Sequence, residues 1–146
     1  MKLLLVALAV LLASSHPARS QDVVDVWALG DLSACEAQSS GAGFGNCVSV
    51  LRDSVDAELN RVYREAMVWA RRSAAKDPHR RDLPAVLRRA QRGWVQLKEA
   101  ECGGALVLLT APGNGGGATM AQCEIAKSRI RIAELRQYYH AGPWSD

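Results

Sequence analysis

The chain has 146 residues, of which 18 are Lys or Arg and 15 are Asp or Glu, and its pI is about 8.8. This length favours a single domain. Hydrophobic residues make up 49% of the chain, which excludes a protein that is disordered throughout.

The first 20 residues have the pattern of a secretory signal peptide. Lys2 precedes an unbroken run of Leu, Val and Ala up to Leu12, which is shorter than the roughly 20 residues of a membrane-spanning helix. Small residues favour cleavage after Ser20, with cleavage after Ser15 as the alternative. Because no cysteine lies near either position, a lipid anchor is not expected. We therefore predict a periplasmic or secreted protein.

Removal of residues 1–20 leaves one predicted domain, residues 21–146, with 16 basic and 15 acidic residues. This net charge of +1 argues against a binder of nucleic acid or of bulk polyanions. The charge is unevenly distributed, with −6 over residues 21–60, +7 over 61–92 and an even balance over 93–146. The pattern indicates either a helical hairpin with solvated, oppositely charged ends, or two surfaces that attract different partners.

Residues 21–47 are acidic and rich in turn-forming residues. Residues 23–29 fit a short helix or an extended arm, and residues 39–45 are typical of a loop because they are mostly Ser and Gly. Asn46 is a candidate N-cap for the helix that follows.

Three long helices are predicted from apolar residues that recur three or four positions apart. They cover about residues 47–76, 83–102 and 119–139. The sequence therefore predicts an all-α hairpin or bundle of three main helices, with a short N-terminal helix or arm.

The boundaries of the second helix carry recognisable signals. Asp82 is its candidate N-cap, and Pro84 fits the first turn. Gly103 and Gly104 are expected to end it. The glycine-rich segment 112–117 then predicts a flexible loop before the third helix.

Four cysteines remain after the predicted cleavage, namely Cys35, Cys47, Cys102 and Cys123. An even number in an exported chain predicts two disulfides, for which three connectivities exist. The spacing contains no Cys-x-x-Cys, so neither a zinc site nor redox catalysis is expected.

Short motifs lie on each predicted helix. The first helix has an acidic residue, then Leu-Asn, then Tyr four positions after the Leu. The second has Gln-x-x-Trp followed by Glu-Cys, and the third has Arg and Leu after the last cysteine. The motif residues are Glu58, Leu59, Asn60, Tyr63, Gln91, Trp94, Glu101, Arg131 and Leu135. In this order, over about residues 35–136, they resemble the LprI-type lysozyme-inhibitor domain.

The resemblance implies a small exported helical domain held by disulfides, and Cys35 with Cys47 fits the family's N-terminal cysteine pair. We favour Cys35–Cys47 and Cys102–Cys123, while a bridge from the N-terminal pair to the later helices is the alternative. The motif residues are expected to be structural, with Tyr63 and Trp94 in the core. A Glu101–Arg131 ion pair is a further hypothesis.

By the same resemblance, the leading functional hypothesis is a protein that inhibits a lysozyme-type muramidase by occluding it. Acidic residues would face a basic lysozyme, and the glycine loop could enter the enzyme's cleft. The candidate contact residues are Asp22, Asp25, Asp31, Glu36, Gly113, Asn114 and Gly115. Two alternatives are an envelope structural or stress domain that contacts anionic polymers through the bases of residues 61–92, and an immunity-like partner of a cell-wall-degrading toxin.

Catalysis is not expected. After the predicted cleavage the chain keeps two histidines, His79 in a charged turn and His140 near the C-terminus, and neither lies in a nucleophile motif. We predict no catalytic, cofactor-binding or metal-ligating residue, and hence a protein that is not an enzyme.

Overall fold

A computed structural model describes residues 25–110 and 116–139. Every regular element within these two ranges is helical, in agreement with the all-α prediction. The predicted signal peptide, Asp22, the loop residues Gly113 to Gly115 and the C-terminal tail lie outside the described residues.

Three long helices dominate the fold, and shorter helical elements connect them. In chain order the elements are α1 (Val26–Leu29), α2 (Ser33–Glu36), α3 (Gly41–Lys76), a 3₁₀ turn (Pro78–Arg80), α4 (Leu83–Glu99), a π-helical segment (Ala100–Ala105), α5 (Leu106–Thr110) and α6 (Gly116–Tyr139). The long helices α3, α4 and α6 correspond to the three helices predicted from the apolar spacing.

The three long helices form an up–down–up bundle. Arg52 of α3 pairs with Glu124 near the start of α6 at 3.6 Å, and Trp69 near the end of α3 meets Tyr139 at the end of α6, so these two helices are parallel. The 3₁₀ turn reverses the chain and makes α4 antiparallel to both. At 36 residues, α3 is about 54 Å long.

The core lies mainly between α3 and α6, whose apolar stripes face each other. Leu59 and Val62 of α3 and Ile125 and Leu135 of α6 are each at most 3% exposed. Leu87 is the one buried residue of α4, so this helix buries fewer side chains than α3 or α6. Burial of side chains of this size stabilises the fold by roughly 1.5–3 kcal/mol each.

The long helix α3 begins earlier than the sequence predicts. It starts at Gly41, and the Ser40 hydroxyl caps it by accepting a hydrogen bond from the Gly43 N–H at 3.1 Å. The predicted loop over residues 39–45 is therefore wrong beyond Ser40, and Asn46 lies inside the helix rather than at its cap. Phe44 packs against the core, which offsets the cost of helical glycines.

The second helix also fails to end at its glycines. Cys102, Gly103 and Gly104 lie in the π-helical segment, which leads directly into α5. Cys102 is completely buried and bonded to Cys123, so the widened π turn places this residue against α6 while the chain remains helical. The third helix begins at Gly116, slightly before the predicted Thr119.

The disulfides join sequence-adjacent cysteines, the pairing that we favoured. Cys35–Cys47 and Cys102–Cys123 each span 5.6 Å between Cα atoms. Both lie at one end of the bundle, which we call the disulfide end and which contains α2 and the starts of α3 and α6. The opposite, hairpin end contains the 3₁₀ turn, the start of α4 and the end of α6.

None of the helices in the described ranges combines the length and the apolar character needed to cross a bilayer.

Candidate protein-binding surface

At the disulfide end, the start of α6, which follows the glycine loop in the chain, lies beside the start of α3. Phe44 and Val48 of α3 line one groove with Ala118 and Ala121 of α6. The chain therefore continues after the glycine loop beside the start of α3. Glu36 of α2 and Asp31, which precedes this helix, lie at this end as well, because Cys35 of α2 is bonded to Cys47 of α3.

Asp31 is an exposed carboxylate in a fixed local arrangement. It accepts hydrogen bonds from the Ser33 hydroxyl at 2.7 Å and from the Ser33 N–H at 2.9 Å. These bonds, the side-chain bond foremost, lower the pKa of Asp31 below its usual value because they stabilise the charged form. Glu36, the last residue of α2, is also exposed.

The acidic N-terminal segment is fixed to α6 by backbone contacts. Arg129 donates a hydrogen bond to the Leu29 carbonyl at 2.5 Å. Gly30 is buried against α6, and a Cβ at this position would lie only 2.2 Å from the Gln122 carbonyl oxygen. Asp25 precedes this contact and accepts a hydrogen bond from the Ala28 N–H at 3.3 Å. The described part of the predicted short helix or arm over residues 23–29 is therefore a short helix, α1, packed on α6. The next helix, α2, is bonded to α3.

Two leucines at the disulfide end were missed as candidate contact residues. Leu108 and Leu109 of α5 are each 81% exposed and come shortly before the glycine loop. Isolated exposed leucines are ordinary on protein surfaces, but two consecutive ones beside a predicted contact loop form an apolar tip. The sequence signal was the apolar run between the second pair of cysteines, which has no clear helical period.

Four of the family-motif residues contact a neighbouring helix or the core, namely Tyr63 of α3, Gln91 and Trp94 of α4, and Arg131 of α6. Arg131 donates to Gln91 at 3.0 Å and pairs with Glu134 at 2.9 Å, so it connects the two helices. Tyr63 and Trp94 are half-buried and pack against the core. The Lys98 ammonium lies 5.3 Å from the centre of the Trp94 ring, within range of a cation–π contact.

The remaining motif residues of α3 and α6 fix these two helices to each other. Leu59 and Leu135 are buried in the core. Glu58 accepts from Arg136 at 2.6 Å, while Asn60 donates to Asp56 within α3 at 3.0 Å. These motif residues therefore contribute to the packing of α3 against α6.

The hypothesis of a Glu101–Arg131 ion pair is wrong. Glu101 pairs with Lys127, and Arg131 pairs with Glu134. The Cys102–Cys123 bond determines which turn of α6 lies beside Glu101. Lys127 lies about one turn beyond Cys123, whereas Arg131 lies a further turn away.

The fold and its surface define a small helical domain stapled by two disulfides. Among the described residues, no group of His, Cys, Asp and Glu is arranged to hold a metal ion. The family model described as "Lysozyme inhibitor LprI" matches residues 33–135. The chain therefore belongs to the LprI lysozyme-inhibitor family. Comparisons with curated proteins and with solved structures found no match.

Proposed function

We propose that the protein is an exported inhibitor of a lysozyme-type muramidase and acts by binding the enzyme and occluding its cleft. The observation that carries this proposal is the family match over residues 33–135. Occlusion is favoured over chemistry because the family is one of inhibitors and because the sequence has no catalytic motif.

The disulfide end is the proposed contact surface. It combines the exposed carboxylates of Asp31 and Glu36 with the apolar tip of Leu108 and Leu109. Lysozymes of the c-type are basic, so an acidic surface would speed their association and orient them. The glycine loop, residues 113–115, is the segment proposed to enter the cleft, while Asp22 and Asp25 would extend the acidic surface.

Export is part of the same proposal. The first 20 residues have the composition of a cleavable signal peptide, and two disulfides favour an oxidising compartment. We propose that the working protein is residues 21–146 in the periplasm or outside the cell.

Inhibition is tested with the oxidised protein, residues 21–146, and a c-type lysozyme on two substrates. One substrate is a suspension of bacterial cell walls, and the other is a soluble, uncharged chitooligosaccharide. Occlusion of the enzyme slows both reactions, whereas coating of the cell wall slows only the first. Unchanged hydrolysis of the soluble substrate at large molar excess would reject occlusion of that enzyme.

The contact surface is tested by reversing one exposed carboxylate at each end of the bundle. Glu36→Lys at the disulfide end is expected to weaken inhibition about fivefold, since close charge pairs in interfaces contribute about 1 kcal/mol or more. Asp82→Lys at the hairpin end is the matched control, because Asp82 is exposed and its side chain forms no cap hydrogen bond. Equal losses in the two variants would contradict the assignment of the surface.

A further inference from the structure

A groove follows the exposed side of the second half of α3, away from the proposed contact surface. It encloses about 460 Å³ and is lined by Arg61, Arg64, Glu65, Val68, Trp69 and Arg72. The lining residues recur every three or four positions, so they share one face of the helix. From Arg61 to Arg72 this face is about 16 Å long, which suits an extended ligand better than a compact one.

Trp69 joins this groove to a second one at the hairpin end. The second groove encloses about 430 Å³ and is lined by Trp69, Arg80, Leu83, Tyr138 and Tyr139. The rings of Trp69 and Tyr139 lie 5.5 Å apart in an edge-to-face contact, and Tyr138 is 56% exposed. Burial raises the pKa of the Tyr139 phenol above its usual value.

Two arginines of the first groove have no acidic partner in the part of the chain that the structure describes. Arg61 pairs with Glu65 at 2.6 Å, but Arg64 and Arg72 form no ion pair within the described ranges. Both are exposed, and the guanidinium group presents a planar set of donors that matches a carboxylate. The groove therefore combines unneutralised positive charge with a half-buried aromatic ring.

We propose that this arginine–aromatic groove, comprising both grooves joined at Trp69, binds a glycan strand whose side groups bear carboxylates. Peptidoglycan, a glycan with acidic peptide stems, is the source in a bacterial envelope. Aromatic rings offer a flat apolar surface to the C–H face of a sugar, and the arginines bind acidic groups along the strand. The half-buried ring of Trp69 and the arginines beside it form no broad projecting apolar face, which binding to a membrane surface would require. A strand is therefore favoured. This binding is separate from muramidase inhibition.

The proposal is tested by sedimentation of the oxidised protein, residues 21–146, with purified peptidoglycan sacculi. Binding is expected at low salt and is expected to weaken strongly by 0.5 M salt because charge contacts are screened. Chitin, an uncharged strand, and vesicles of phosphatidylglycerol are the comparison ligands. Both are expected to bind much more weakly than peptidoglycan.

Two pairs of substitutions separate the groove from the general basic charge. Arg64→Gln with Arg72→Gln removes two charges from the groove and is expected to weaken binding about tenfold or more, since hydrogen bonds to charged groups are strong. Arg71→Gln with Arg89→Gln removes the same charge from exposed positions that line neither groove. The control pair is expected to weaken binding by less than about threefold, as is typical of exposed, screened charges.

A third variant tests the floor of the groove. Val68 is 42% exposed, so Val68→Glu introduces an acidic group that repels a carboxylate without disturbing the core. It is expected to abolish peptidoglycan binding while leaving the thermal unfolding temperature unchanged. Equal losses in the two arginine pairs, equal binding to chitin, preferred binding to the vesicles, or no binding to sacculi would each overturn the proposal.

Discussion

At the scale of single residues, Gly30 is a position where a side chain is excluded by close packing. A Cβ there would lie 2.2 Å from the Gln122 carbonyl oxygen and 2.8 Å from its Cγ. Gly30→Ala therefore forces α1 away from α6 and strains the hydrogen bond from Arg129 to Leu29. We expect a loss of about 1–3 kcal/mol in the free energy of unfolding, the usual cost of overpacking, measured by urea denaturation.

The control for this substitution is Gly93→Ala in the interior of α4. A Cβ at Gly93 meets nothing within 4 Å, so alanine should stabilise the protein by about 0.5–1 kcal/mol through its higher helix propensity. The two substitutions differ in sign because packing excludes a Cβ at Gly30, whereas open space at Gly93 leaves helix propensity to decide the effect. A Gly30→Ala protein as stable as the wild type would contradict the close approach of α1 to α6.

Individual ion pairs were the least predictable feature of the sequence. Arg131 pairs with Glu134 instead of the predicted Glu101, since residues three apart are neighbours on a helix. The partner of Glu101 could not be predicted in this way, because it depends on how far α6 is shifted along α4. The Cys102–Cys123 bond determines that shift, and the sequence left the pairing of the cysteines open.

At the scale of elements, the sequence predicted the three long helices, the end of α3 at Lys76, the start of α4 at Leu83 and the end of α6 at Tyr139. It did not predict the start of α3 or the end of α4. Glycine in residues 39–45 and 103–104 suggested irregular chain, because its helix propensity is low. Tertiary packing reverses that preference, since Phe44 packs against the core and Cys102 is completely buried. The start of α3 and the end of α4 therefore depend on packing contacts that local propensity does not encode.

The π-helical segment and α5 should depend on the Cys102–Cys123 disulfide for their stability. The bond joins residues 21 positions apart, so its loss through Cys102→Ser and Cys123→Ser should destabilise the fold by about 3 kcal/mol. Amide hydrogen exchange should rise most in Ala100–Thr110, the segment next to the lost bond.

The control is removal of the other disulfide through Cys35→Ser and Cys47→Ser. That disulfide joins residues only 12 positions apart. Its increase in amide exchange should fall on α2 and the start of α3 instead. Similar exchange profiles in the two variants would mean that each disulfide acts on the whole bundle rather than on its own elements.

At the scale of the whole molecule, the bundle separates charge along its length. Residues 21–60 carry −6 and residues 61–92 carry +7, and α3 extends through both regions. The helix is about 54 Å long, whereas the Debye length is about 10 Å at 0.1 M salt. The two ends are therefore electrostatically almost independent at physiological ionic strength, and each proposed surface can act without the other.

This independence gives a final prediction for the two proposed surfaces. Glu36→Lys should weaken inhibition of lysozyme on the soluble substrate and leave binding to peptidoglycan unchanged. Arg64→Gln with Arg72→Gln should have the opposite pattern. Because the altered sites are far apart, their effects should add to within about 0.5 kcal/mol when the substitutions are combined.

The combined protein is measured in both assays, with each parent variant beside it, at 0.1 M salt. A loss of inhibition in the arginine variant on the soluble substrate would mean that the enzyme contacts α3 as well as the disulfide end. A loss of peptidoglycan binding in Glu36→Lys would mean that the glycan strand reaches the acidic end. Additive losses would instead establish an inhibitor that can bind the cell wall and the enzyme at opposite ends of one helical bundle.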